Sequence, residues 1–151
     1  VLLIAGEGRE RKRLKCAMDE LNLRDSVRLL GHYDDVPALL AAADLFVMSS
    51  HYEGMPLALL EALASGLPIV ATAVDGVPEV LGDSGAGVLV PPRRPEAFAE
   101  AVADVLALPE AQRARMRDAA RLRAREFSVQ AMLQRYEALY EELLAPLLPG
   151  G

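Results

Sequence analysis

Apolar residues in this chain fall into short blocks, separated by stretches in which they recur every three or four positions. VLLIAG at Val1–Gly6 reads as a buried strand ending at a glycine turn, and Leu14, Ala17, Met18 and Leu21 then follow at helical spacing. The alternation repeats with VRLLG at Val27–Gly31, a short helix through Val36, Leu39, Leu40 and Ala43, and the strand LFVM at Leu45–Met48. A third helix is predicted to begin near Pro56. PIVAT at Pro68–Thr72 makes a fourth strand, VPEVL a short helical turn, and GVLV at Gly87–Val90 a fifth strand. Continuous apolar strands between helices predict a Rossmann-like α/β domain of three layers, with about five parallel strands covered on both faces.

After Pro95 the strand pattern stops. Three helices are predicted, over Glu96–Leu108, Glu110–Phe127 and Val129 to about Leu144, with Pro109 as an N1 residue and Ser128 as an N-cap. Met116, Ala120 and Phe127 share a face of the middle helix and are expected to pack on the sheet. Leu147–Gly151 reads as a frayed tail. No repeat or low-complexity linker interrupts the pattern, so residues 1–151 are expected to form a single domain.

Composition narrows the function classes. The chain is 52% hydrophobic and 25% charged, as in soluble globular proteins, and its longest apolar runs are far shorter than the ~20 residues of a bilayer-spanning helix. A cytoplasmic protein is the expectation. Cys16 stands alone, with neither a disulfide partner nor a metal-ligand spacing, and reads as a part-buried thiol on a helix. A net charge of −6 argues against nucleic acid as a partner, which would require a basic face. One local exception is the series Arg113, Arg117, Arg121 and Arg125, flanked by Arg115 and Arg123. It forms either a solvated helix face or a surface for anionic lipid or an acidic partner, the latter placing the protein at the inner face of a membrane.

In an open parallel sheet, ligands bind beyond the carboxyl ends of the strands. Four segments lie there: Gly6–Gly8, Gly31–Asp35, Ser49–Pro56 and Ala73–Pro78. Gly6 and Gly8 form a G-x-G without the third glycine of a dinucleotide fingerprint, since Arg11 occupies that position; they serve a turn or the approach of a ligand. In GHYDD, Asp35 reads as a cap for the following helix, with capping or solvation favoured over chemistry for the Asp34/Asp35 pair. The third segment, SSHYEGMPLALLEA, carries the most information. Pro56 suits the first turn of a helix, leaving the amides of Leu57 and Ala58 aimed out of its N-terminus, where a phosphate meets the positive end of the dipole. Gly54 allows close backbone approach. Glu61, about one turn further on, can accept two hydrogen bonds from a vicinal diol such as that of a ribose. Glu53 stays in the loop, free to face whatever the phosphate carries. The bland alternative makes Glu53 a cap and Glu61 a solvent-facing residue.

Taken together, VLLIAGEG, VRLLGHYDDVPALLAAADLFVMSS, YEGMPLALLEALASGLPIVAT, VDGVPEVL and GAGVLVPPRRPEAFAEAV resemble, in order, the blocks of the C-terminal domain of the retaining, nucleotide-sugar-dependent GT-B glycosyltransferases, called family four or group one. Glu53 and Glu61, seven residues apart in between, match that family's E-x7-E signature. The resemblance implies that Glu61 holds the ribose hydroxyls and that the Leu57 and Ala58 amides hold the diphosphate of a UDP- or GDP-linked sugar. It also implies that Glu53, with Gly54, Met55 and Pro56, contacts the donor sugar, making Glu53 the catalytic residue. Tyr33 falls where the family's loop meets the base, and Gly6 and Gly8 line the same cleft. No cofactor or metal is implied, so protein donors must stabilise the departing diphosphate.

The sequence departs from the family in three places. The family's phosphate-binding Arg and Lys come from a strand and loop before the VLLIAG block, and Lys12 and Lys15 read as solvated instead. Pro56 stands where the family often has glycine. The N-terminal acceptor domain, and the first strand and helix of this domain, are expected to be missing, leaving the fragment inactive alone. Apolar surface is then expected on the last helix around Met132, Leu133, Tyr136 and Leu143, open to self-association. Two alternatives remain: a nucleotide-sugar epimerase of GT-B type, and a non-catalytic nucleotide-binding or receiver-like regulatory module. For a receiver, this sequence lacks the phosphoacceptor Asp at a strand end and the Lys that such domains carry on a later strand.

Overall fold

The computed structural model describes residues 1–145; the tail at Leu147–Gly151 lies outside them. Five strands alternate with helices before three helices complete the order: β1 (Leu2–Ala5), α1 (Arg11–Glu20), β2 (Val27–Gly31), α2 (Val36–Ala41), β3 (Phe46–Met48), α3 (Leu57–Ser65), β4 (Ile69–Thr72), α4 (Gly76–Leu81), β5 (Gly87–Val90), α5 (Pro95–Ala107), α6 (Glu110–Arg125) and α7 (Val129–Leu144). The α/β class and parallel pairing expected from the pattern are present. The strands form two hydrogen-bonded sets rather than one sheet, β1-β2 and β3-β4-β5. The chain correspondingly divides into two compact units, one covering Val1–Leu39 and the other beginning at Leu40.

In the first unit β1 and β2 run parallel from Leu2 opposite Val27, with a register shift at Ile4/Ala5 that brings Ala5 opposite Gly31. Little here is enclosed. Leu2 and Leu3 are 43% and 41% exposed, and Leu14 of α1 and Leu21 just after it also face water. Cys16 is exposed rather than part-buried, because α1 buries none of its residues among those described.

The second unit holds the core. β4 lies between β3 and β5 in register Val47–Val70–Val88, and all four of its residues are buried. Val70 and Val90 pack with Val105 of α5 and with Phe98, Ala101 and Val102 around it. Strand alternation sends Ile69 and Ala71 to the other face. α3, built from LALLEALAS with strong helix formers throughout, buries Leu59, Ala62 and Leu63 and packs with β3, α4 and α6. It ends at Gly66 (φ +74°), where the amide of Leu67 returns to the Ala62 carbonyl, a left-handed stop suited to glycine.

The C-terminal helices begin close to the predicted points. Ser128 caps α7 by accepting the amide of Ala131 at 3.2 Å, and Pro109 precedes rather than opens α6. α6 packs chiefly on α3 rather than on the sheet; Ala120 is its buried residue, while Met116 reaches the Val70 cluster.

Part of the arginine series turns onto its own chain, while Arg115, Arg121 and Arg125 stay exposed as a solvated face would be. Arg113 donates to the Leu106 carbonyl at the end of α5 and pairs with Glu110, which also pairs with Arg117. The Arg121 guanidinium lies over Gly66, where a Cβ would stand 2.6 Å from its Cζ. Arg123 donates to the carbonyls of Val80 (2.8 Å) and Glu79 (2.6 Å) at the end of α4, pairs with Glu126, and stacks on Phe127. These arginines thus sit at the carbonyl ends of α5, α3 and α4, where a cation complements the helix dipole. On α7, Met132, Leu133, Tyr136 and Leu143 are exposed as expected, and no helix among the described residues is long and apolar enough to cross a membrane.

Candidate functional site

The four segments proposed for ligand contact do follow the carboxyl ends of β1, β2, β3 and β4, and the structure brings them together in pairs. In the first unit the amide of Gly6 donates to the Gly31 carbonyl at 2.7 Å, joining the loops after β1 and β2. Gly6 (φ +115°) and Gly31 (φ +73°) both adopt backbone conformations that disfavour side chains, and a Cβ on Gly31 would also strike the Glu7 carboxylate. Gly8 has no such constraint. Tyr33, two residues beyond Gly31, is 39% exposed. Asp35 caps α2 by accepting the amide of Ala38 at 3.0 Å, and Asp34 faces His32 at 3.1 Å on the surface.

In the second unit the loop after β3 is pinned at successive points by the end of β4 and the turn after it. The buried Thr72 hydroxyl donates to the Ser50 carbonyl at 2.6 Å. Ser50 Oγ in turn donates to Glu53 Oε1 at 2.7 Å, a charge-assisted bond that orients the carboxylate. The Glu53 amide donates to Asp75 Oδ2 at 3.0 Å. A Cβ on Gly76 would lie 2.2 Å from the Gly54 carbonyl oxygen, so this second loop can come so close only with glycine at 76. Gly54 itself carries no such demand, since a Cβ there would meet nothing within 4 Å.

Glu53 is therefore no helix cap. α3 starts one residue later than expected, with the buried Pro56 at the N-cap (φ −78°, ψ 84°) and no side chain bonding to its first turn. The Pro56 carbonyl accepts from Leu59 and Leu60, leaving the amides of Leu57 and Ala58 without an acceptor among the described residues. That geometry gives the end of α3 two free donors at its positive pole. Glu61 lies one turn into α3, exposed, and makes no ion pair or hydrogen bond among the described residues. Met55 is exposed beside them. Glu53 Oε2 is likewise without a protein partner among the described residues, so one carboxylate oxygen is fixed and the other is available.

Sequence reasoning missed the residues that hold this loop: Ser50, Thr72, Asp75 and Gly76. Two signals pointed to them, a lone hydroxyl closing the apolar strand PIVAT and an Asp-Gly pair just beyond it.

A family model described as Glycosyl transferases group 1 matches residues 1–123. Among curated proteins, the chain is similar to the alpha-D-kanosaminyltransferase of Streptomyces kanamyceticus, 32% identical over 143 residues that cover 93% of this chain and 37% of that protein. Among solved structures, it is similar to a sucrose-phosphate synthase from Thermosynechococcus elongatus, with a TM-score of 0.83, 32% identity, and coverage of 96% of this chain and 39% of that one. The Anabaena protein HepE, solved in complex with UDP-glucose, aligns with a TM-score of 0.81 at 25% identity over 92% of this chain and 40% of its own. The chain thus spans 37% to 40% of the length of these relatives. A match over so much of the sequence, including the loop and helix that carry the paired glutamates, shows that the chain belongs to the glycosyl transferases group 1.

Proposed function

We propose that this chain is the donor-binding part of a retaining glycosyltransferase of GT-B type, which takes a nucleoside-diphosphate sugar and passes the sugar to an acceptor held by a further domain. The observation that carries this reading is the start of α3, where two amides without acceptors stand one turn ahead of an unpaired carboxylate. Amides at a helix N-terminus bind a diphosphate, and a carboxylate one turn in matches a ribose diol. The same amides spread the charge that develops on the departing diphosphate. Glu53, oriented by Ser50 with its second oxygen free, faces the sugar. The exposed face of α7, from Met132 to Leu143, is the surface for the acceptor domain or for a second copy of the chain.

Calorimetric titration of the chain with UDP and GDP tests this reading. Saturable binding of one of them is expected, and Glu61→Ala should weaken it about tenfold, the size of a lost pair of hydrogen bonds to a charged group. Absence of binding at millimolar nucleotide, or binding indifferent to Glu61→Ala, would overturn it.

A further inference from the structure

We infer that Asp75 is a positioning residue for Glu53, fixing the loop that presents the donor-facing carboxylate; the inference rests on the donor-site reading above. Asp75 immediately precedes α4, where an aspartate ordinarily accepts amides from the first turn of its own helix. It makes no such bond. Its carboxylate instead accepts the amide of Glu53, 22 positions earlier in the chain. The backbone pays for this reach: Asp75 has φ +40° and ψ −119°, a conformation in which glycine is comfortable and an L side chain is strained. What aspartate supplies there and glycine could not is the acceptor.

Three residues between the end of β4 and the start of α4 thus act in order on three in the loop after β3. Thr72 holds the Ser50 carbonyl, Asp75 holds the Glu53 amide, and Gly76 abuts the Gly54 carbonyl. Of these contacts only Asp75 fixes Glu53 directly, and it does so through the backbone. The Ser50 hydroxyl then sets the direction of the carboxylate. Asp75 touches no part of the donor in this scheme; it determines where Glu53 stands.

The full 151-residue chain serves for the test, with Asp75→Gly removing the acceptor while relieving the backbone and Asp75→Asn keeping an acceptor oxygen. Amide hydrogen exchange at Glu53, thermal midpoint, and affinities for UDP and UDP-glucose are compared. In Asp75→Gly, exchange at Glu53 should quicken about tenfold with no fall in midpoint. The gain in affinity from UDP to UDP-glucose should shrink at the same time, and Asp75→Asn should restore both. Unchanged exchange in Asp75→Gly, or faster exchange throughout the unit with a lowered midpoint, would overturn the inference, the latter marking a merely structural residue. If the wild type binds neither nucleotide, the donor-site reading fails, while exchange at Glu53 still decides whether Asp75 fixes the loop.

Discussion

β1 and β4 are each four residues long, each almost wholly apolar, and each followed by a glycine-containing turn; they end in opposite circumstances. β4 pairs on both edges and every residue is buried, whereas β1 pairs only with β2 and three of its four residues are exposed. An apolar run records what a strand can bury, and its neighbours determine what it does bury. The helices repeat the contrast. α3 buries Leu59, Ala62 and Leu63, while α1, with an apolar stripe of its own, buries nothing among the described residues. The two units therefore differ less in sequence pattern than in how many partners each element finds.

The largest effect that tests this contrast is truncation within the strands. Ile69→Ala removes a side chain with 0% exposure and should cost about 2 to 5 kcal/mol in urea unfolding, whereas Leu3→Ala, at a position already 41% exposed, should cost under about 1 kcal/mol. Hydrogen exchange should follow suit, with β1 amides opening locally and those of β4 only with the unit as a whole. Equal costs for the two substitutions would mean that β1 is as enclosed in solution as β4.

The order of elements was legible because apolar blocks and helical spacing are local properties. Pairing is not local, and nothing within VLLIAG or LFVM says that β1 and β3 belong to different hydrogen-bonded sets. The site divides along the same line. Glu53, Leu57, Ala58 and Glu61 stood out because loop, helix start and spacing are contiguous in sequence. Ser50, Thr72, Asp75 and Gly76 did not, because their contacts join segments about twenty positions apart. The contacts of two α6 arginines were illegible for a related reason. Spacing of four gives a stripe, but only the placement of α6 beside the ends of α3 and α4 turns Arg121 and Arg123 into caps for other helices.

Arg123 offers a smaller effect, one that sharpens the account of why the second unit is the better enclosed. Its guanidinium ties the last carbonyls of α4 to α6 through two hydrogen bonds and lies 5.0 Å from the centre of the Phe127 ring. Arg123→Ala should destabilise the chain by about 1 to 3 kcal/mol, since a charged donor's bonds to two carbonyls, the one at Val80 part-buried and the one at Glu79 exposed, are lost together. Arg123→Lys keeps the charge without the planar fork and should recover only part of the loss. Full recovery by lysine would show that charge at the end of α4, rather than the paired geometry, is what α6 contributes.

The smallest effect concerns acid. The Glu110 carboxyl is held below its ordinary value of 4.5, chiefly by the hydrogen bond from Arg113 and then, against some desolvation, by Arg117. A group whose value is lowered on folding contributes stability that is fully present above its unfolded value and is lost as pH falls through its folded one. Wild type should therefore be more stable than Glu110→Gln at neutral pH, and the gap should close as pH falls below about 4.5. Because Glu110 is on the surface, added salt should narrow the gap at neutral pH as well. Urea midpoints for both proteins at neutral and acid pH, with and without salt, measure this directly. Hydrogen exchange then locates it: the change should fall on α5 and α6, which Arg113 joins through the Leu106 carbonyl, and leave β1 and β2 as they were. An acid-dependent change at β1 instead would mean that the two units do not respond separately, and the contrast between them would lose its basis.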